Sequence, residues 1–240
     1  MTTKKNLLPI MITRNKSYLL LFLIFLVGFQ PLIYSQNKDG YGWRLVKAQK
    51  GIKVYIRKHK SSSLKEVLAI METKTSLNAI VALLKNTQNH KNWMYANKES
   101  YVLKSPSNFE WILYSKSEAP WPILDRDLVS HARMYQSSDN CTIKIKAHAI
   151  PDYMTYKKGL VRICEMDSEW TFTPKYDGFI EIRFKIRVNL GGNLPVWLTN
   201  LAVDKGPYST LSKMKSALAK NKYRHAKLPY IKENCSMAKQ

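Results

Sequence analysis

The chain has 240 residues, of which 45% are hydrophobic and 23% charged, and its 9 Gly and 10 Pro are too few for a disordered or collagen-like polymer. That length suits one sizeable domain, and with only 3 Cys it excludes a disulfide-stapled miniprotein. With 39 Lys and Arg against 17 Asp and Glu, the net charge of +22 favours anionic partners: nucleic acid, an acidic membrane surface or an acidic ligand.

Residues 1–35 read as a secretory signal peptide. Basic Lys4, Lys5, Arg14 and Lys16 precede an apolar run from Tyr18 to Phe29, a break at Gln30-Pro31, and small Ser35 before Gln36. The run is about twelve residues, against the roughly 20 that a spanning helix needs. Export with cleavage near Ser35-Gln36 is therefore expected, with an uncleaved N-terminal membrane anchor as the alternative. Residues 36–228 then form one domain, with 229–240 as a C-terminal tail.

Trp43 to Arg57 reads as two short strands joined by a turn at Lys50-Gly51, and Leu64 to Thr73 as a third strand. Ser76 can cap a short helix to Lys85, with Leu77, Ile80, Val81 and Leu84 at helical spacing. Strand-like runs follow at Tyr101–Lys104, Phe109–Ser117, Leu128–Tyr135, Thr142–Ala149 and Leu160–Phe172. The clearest strand is Phe179 to Leu190, where Ile180, Ile182, Phe184, Ile186, Val188 and Leu190 alternate with Glu181, Arg183, Lys185, Arg187 and Asn189. Such alternation means an antiparallel strand with one dry and one wet face. After Gly191-Gly192 the period lengthens: Leu194, Trp197, Leu198, Leu201, Leu211, Met214 and Leu218 form a helical stripe. Asn193 and Pro195 suit its start, and Gly206-Pro207 should kink or split it. A curved sheet around one closing helix would bury all these faces, giving an α+β architecture.

The most distinctive stretch is Ala119-Pro120-Trp121-Pro122-Ile123-Leu124-Asp125-Arg126-Asp127. Here, together with Trp43, Gly51-Ile52-Lys53-Val54-Tyr55, Trp93, Gly159-Leu160-Val161-Arg162, Trp170 with Pro174, and Gly191-Gly192-Asn193-Leu194-Pro195-Val196-Trp197, the sequence resembles the START (steroidogenic-acute-regulatory-related lipid-transfer) family over roughly residues 42–225. The resemblance implies a helix-grip fold: a bent antiparallel sheet clasping a long C-terminal helix around an internal apolar tunnel. It also implies reversible, cofactor-free carriage of one lipid-like ligand to or from a membrane, by a monomer. An aromatase/cyclase-like enzyme using the same pocket is the alternative.

The ligand contacts it implies are Trp93, Trp121, Arg126, Arg162, Phe184, Ile186, Leu198 and Leu201. Several have a second reading. The tryptophans and leucines also suit core packing, Arg162 a surface strand position, and Arg126 a loop held by Asp125 or Asp127. In sterol-binding relatives an acid pairs the arginine matching Arg162; Tyr153 stands in that place here, beside Asp152.

Two runs without acid, Arg44 to Lys60 and Lys205 to Lys227, suit either a solvated face or an anionic membrane. Catalysis finds little footing in the residues: His59, His90, His131, His148 and His225 are scattered, and no HExxH, GxSxG, P-loop or GxGxxG occurs. No metal is expected, since Cys141, Cys164 and Cys235 make no CxxC. Cys141 and Cys164 suit either two separate small hydrophobes or a pair across a hairpin. No nucleic-acid reading module is present, so that class of partner is not expected.

Overall fold

The computed structural model describes residues 42–58, 64–192, 194 and 196–235, the side chains of 196–204 excepted. Strands β1 (Arg44–Gln49) and β2 (Ile52–Lys58) form a hairpin whose turn, Lys50-Gly51, takes φ of 50° and 77°. Two left-handed residues match the twist of the flanking strands, and glycine adopts that region without a steric penalty. After β3 (Lys65–Lys74) comes helix α1 (Leu77–Lys85), where Ser76 Oγ accepts from the Ala79 N–H at 3.1 Å, as its capping position predicted.

The remaining elements are α2 (His90–Trp93), β4 (Asn97–Ser107), β5 (Glu110–Ser117), β6 (Asp125–Gln136), β7 (Ile143–Ala149), β8 (Leu160–Arg162), β9 (Glu165–Pro174), β10 (Phe179–Asn189), α3 (Val196–Leu218) and α4 (Asn221–Arg224). One sheet runs β1-β2-β3-β10-β9-β7-β6-β5-β4, with antiparallel neighbours throughout, and β8 pairs in parallel with β6. The sheet curves around α3, which packs on β2 and β3 and buries Leu211, Met214 and Leu218.

Three details differ from the sequence reading. Leu160–Phe172 is two strands, because β8 pairs with β6 whereas β9 pairs with β7 and β10. Helix α3 continues through Pro207 rather than splitting. Gly206 serves packing instead: a Cβ there would sit 3.3 Å from the Tyr95 ring, and Thr210 Oγ1 accepts from the Tyr95 N–H one turn on.

Residues 229–235, expected to begin a C-terminal tail, are docked on the domain. Ile231 is buried, and the Glu233 carboxylate accepts from the Leu77 and Asn78 N–H groups at 3.0 and 2.7 Å, capping α1 alongside Ser76. Gln136 and Lys232 exchange two hydrogen bonds, and Cys235 is disulfide-bonded to Cys141. Cys164 is free and exposed, so of the two readings the Cys141–Cys164 pair is not formed, while Cys141 is bridged elsewhere rather than standing as a separate small hydrophobe. Ile143 registers with Phe172, so Cys141 lies near one end of β9 while Cys164 adjoins the other, roughly 25 Å away at ~3.3 Å per residue. No disulfide spans that distance.

Candidate functional site

The strand registers divide the concave face into rows. The first joins Ile143, Phe172, Ile182, Met71 and Ile52; the second joins Met134, Ile145, Trp170, Phe184, Ala69 and Val54. Both rows are buried, with Trp170 stacked on Phe184 at 4.1 Å. In the third row, Ala132, Ala147, Ser168 and Ile186 stand where the second has Met134, Ile145, Trp170 and Phe184. Ser130, Ala149, Met166 and Val188 follow. Side-chain volume thus drops within one step along the strands. Ala147, Ser168, Ile186, Ala149 and Val188 are only half-buried although they face inward. A close-packed interior would have filled that space with large residues. Past Trp170 and Phe184 the described part of this face therefore carries smaller, half-exposed side chains and forms a shallow recess.

Continuing the alternation of β6 through Met134, Ala132, Ser130 and Leu128 puts Arg126 on this same face, at the far end of the recess. Its side chain is buried, and it donates to the carbonyls of Leu124 and of Leu190, the latter at 3.4 Å. Neither Asp125 nor Asp127 is within ion-pair distance, so the salt bridge expected to hold this loop is not formed. Asp125 is occupied by Lys98, Lys116 and the Ala119 N–H, which together hold its carboxyl below the usual range against the effect of burial. Burial lowers the Arg126 pKa. The result is a desolvated guanidinium whose described acceptors are uncharged carbonyls.

Arg162 belongs to the opposite face. It registers with Asp127, one residue out of phase with Arg126, and the two side chains form an ion pair with 1% exposure on each side. Nε and Nη2 bond the two carboxylate oxygens at 2.8 and 2.9 Å. The remaining guanidinium protons reach the carbonyls of Pro151, Met154 and Thr155, so all five donors are engaged. The Asp127 bonds raise the Arg162 pKa. Arg162 therefore fastens the 151–156 segment over the outer side of β6 and has no donor left for a ligand, which corrects its expected role. Its acid partner is Asp127, 35 residues away, rather than a residue at 152 or 153.

Trp121 is corrected as well. At 93% exposure it stands outside the recess, on an outer groove described below. Trp93 is fully buried, edge-on to Trp170 at 6.4 Å, and Phe184 lies in the filled second row, so both form the inner wall of the recess rather than its open part. Ile186 is in the third row. The side chains of Leu198 and Leu201, in the first turns of α3, lie outside the described residues. Beside Trp93, burial pulls the His90 imidazole down to about 4, and its neutral Nε2–H donates to the Leu84 carbonyl at 2.8 Å. Sequence reasoning missed Ala132, Ala147 and Ser168, which make the space. Their signal was small side chains at alternate positions of strands otherwise filled with large ones. Among the described residues, no three His, Cys, Asp or Glu side chains are grouped to hold a metal ion.

A bent antiparallel sheet closed by a long C-terminal helix is the helix-grip architecture. No family model matches the chain. It is 32% identical over 178 residues to an uncharacterized protein of Pseudomonas aeruginosa, covering 74% of this chain and 87% of that one. The crystal structure of a STAR-related lipid transfer protein from Xanthomonas axonopodis superposes with a TM-score of 0.69 at 33% identity, covering 75% of this chain and 99% of that one. Human STARD10 shares the fold at 17% identity, with a TM-score of 0.66 and coverages of 78% and 76%. The chain belongs to the StAR-related lipid transfer (START) family.

Proposed function

We propose that the recess holds one lipid-like molecule and that the protein carries it reversibly, without cofactor and as an exported monomer, to or from an anionic membrane surface. The observation that carries this reading is the step from Met134, Ile145, Trp170 and Phe184 to Ala132, Ala147, Ser168 and Ile186 on one continuous face. Ligand pockets span about 300–1,000 Å³, and a dry void of that size would cost roughly 7–24 kcal/mol at ~24 cal/mol per Å³. That exceeds or rivals a domain's whole stability of about 5–15 kcal/mol, so an enclosed space of that size would call for a ligand, or for water around buried polar groups.

Arg126 supports a polar or anionic end on that occupant: a desolvated guanidinium gains most from a carboxylate or phosphate. The Cys141–Cys235 disulfide supports an oxidising compartment, in keeping with export. Exposed Lys213, Lys215, Lys220, Lys222, Arg224 and Lys227 keep the molecule attractive to anionic surfaces.

Native mass spectrometry of the purified chain, followed by extraction of its contents, tests the proposal. One equivalent of an unmodified amphipathic lipid is the expected result. A chain that remains bare after incubation with lipid vesicles, or that returns a cyclised product, would overturn it.

A further inference from the structure

Outside the recess, the turn Pro120–Ile123 and the turn Lys157–Leu160 face each other across an open groove of about 560 Å³. One part of its wall is apolar: Trp121, Pro122 and Leu124, with Trp121 93% and Leu124 53% exposed. The other carries Lys116, Lys157 and Lys158 against the single acid Asp125. Asp125 is already matched by Lys98 at 3.2 Å and Lys116 at 3.4 Å. Lys157 is held 4.0 Å above the Tyr114 ring and reaches the Tyr101 hydroxyl, which fixes its ammonium in place. Lys158 is exposed, on a turn that Gly159 closes at φ +80°.

We propose that this groove binds the head group of an anionic phospholipid at a membrane surface. The lysines would receive the phosphate, and Trp121 and Leu124 would enter the adjoining glycerol and acyl region. The charge is complementary, and the apolar wall lies immediately beside it, as in the lipid itself. An indole with an apolar body and a polar N–H suits that boundary. Leu124 links the groove to the recess, because its carbonyl accepts from Arg126. A chain docked here sets the Arg126 end of the recess against the bilayer. The inference rests on the carrier reading and adds to it a lipid-selective docking site.

The test measures partition of the full chain onto vesicles of phosphatidylcholine, with and without phosphatidylglycerol, at low salt. Lysine contacts at a membrane surface are worth about fivefold each, so Lys116→Gln with Lys158→Gln should lower partition onto the anionic vesicles by roughly 25-fold. Lys213→Gln with Lys215→Gln removes the same charge from the exposed side of α3 and should cost less than about threefold, through general attraction alone. Trp121→Ser should weaken partition while leaving the unfolding midpoint unchanged, as befits a side chain with 93% exposure.

Equal losses in the two lysine pairs would overturn the proposal. So would tight binding of sn-glycerol 3-phosphate in solution that disappears in the groove pair, since the site would then serve a free phosphate. Native mass spectrometry keeps the two ideas apart. A bare wild-type chain would sink the carrier reading alone, and a loaded chain indifferent to Lys116 and Lys158 would sink the groove alone.

Discussion

Replacing Ala147 and Ala132 separately by leucine distinguishes a recess from a solid core by the sign of the effect. The two alanines register with each other in the third row. Ala132 is 4% exposed and registers on its other side with buried Trp111, so it has no room to grow. Ala147 is half-buried beside Ser168. Leucine adds three carbons at either site. At Ala132 these must be forced between packed neighbours, which costs about 1–3 kcal/mol. At Ala147 they enter open space and leave water, gaining up to ~2 kcal/mol at about 0.8 kcal/mol per carbon. Urea unfolding of delipidated protein with the disulfide intact reads both. The expectation is a lower midpoint for Ala132→Leu, and for Ala147→Leu an unchanged or higher midpoint with reduced lipid occupancy. Equal destabilisation by both would mean that the third row is as full as the second, and the recess would be wrong.

Asp127→Ala should destabilise by about 3–5 kcal/mol, because it strands a buried Arg162 that is otherwise fully bonded; Asp127→Leu combined with Arg162→Met should recover most of that, and comparable losses in both would show that burial of the charge is not the cause. Reducing the Cys141–Cys235 bond, which links residues 94 apart, should cost up to about 4.5 kcal/mol by loop entropy, and an unchanged urea midpoint in reductant would refute that role. The depressed pKa of His90 makes its neutral form the folded one, whereas the unfolded chain restores 6.5. Its contribution is therefore complete above about pH 6.5 and is lost as pH falls toward about 4, roughly 3 kcal/mol in all. His90→Gln should flatten the stability profile over that interval, and an identical slope in the variant would remove His90 as its source.

What the sequence disclosed and what it withheld follow from the range of the interactions. The alternation of β10, the Ser76 cap and the Lys50-Gly51 turn are set by residues within a few positions of one another, and all three formed, with the dry face of β10 holding from Ile180 through Phe184. The Arg162–Asp127 pair spans 35 residues and depends on β8 pairing in parallel with β6, which no local pattern encodes. The Cys141–Cys235 bridge and the Glu233 cap on α1 join residues 94 and 155 positions apart, so residues 229–235, which read as the start of a polar tail, are docked. Trp121 shows the limit of composition. A large aromatic between two prolines suits a core or a tip equally, and only the fold places it outside.

Photo-crosslinking with a diazirine-bearing acyl lipid tests most directly where the ligand resides. The account predicts one adduct per chain, on concave-face residues of β7, β9 and β10, with Ala147, Ser168 and Ile186 among them. Adducts confined to the opposite face, at Lys144, Lys146 or Arg183, with none on those three residues, would contradict it.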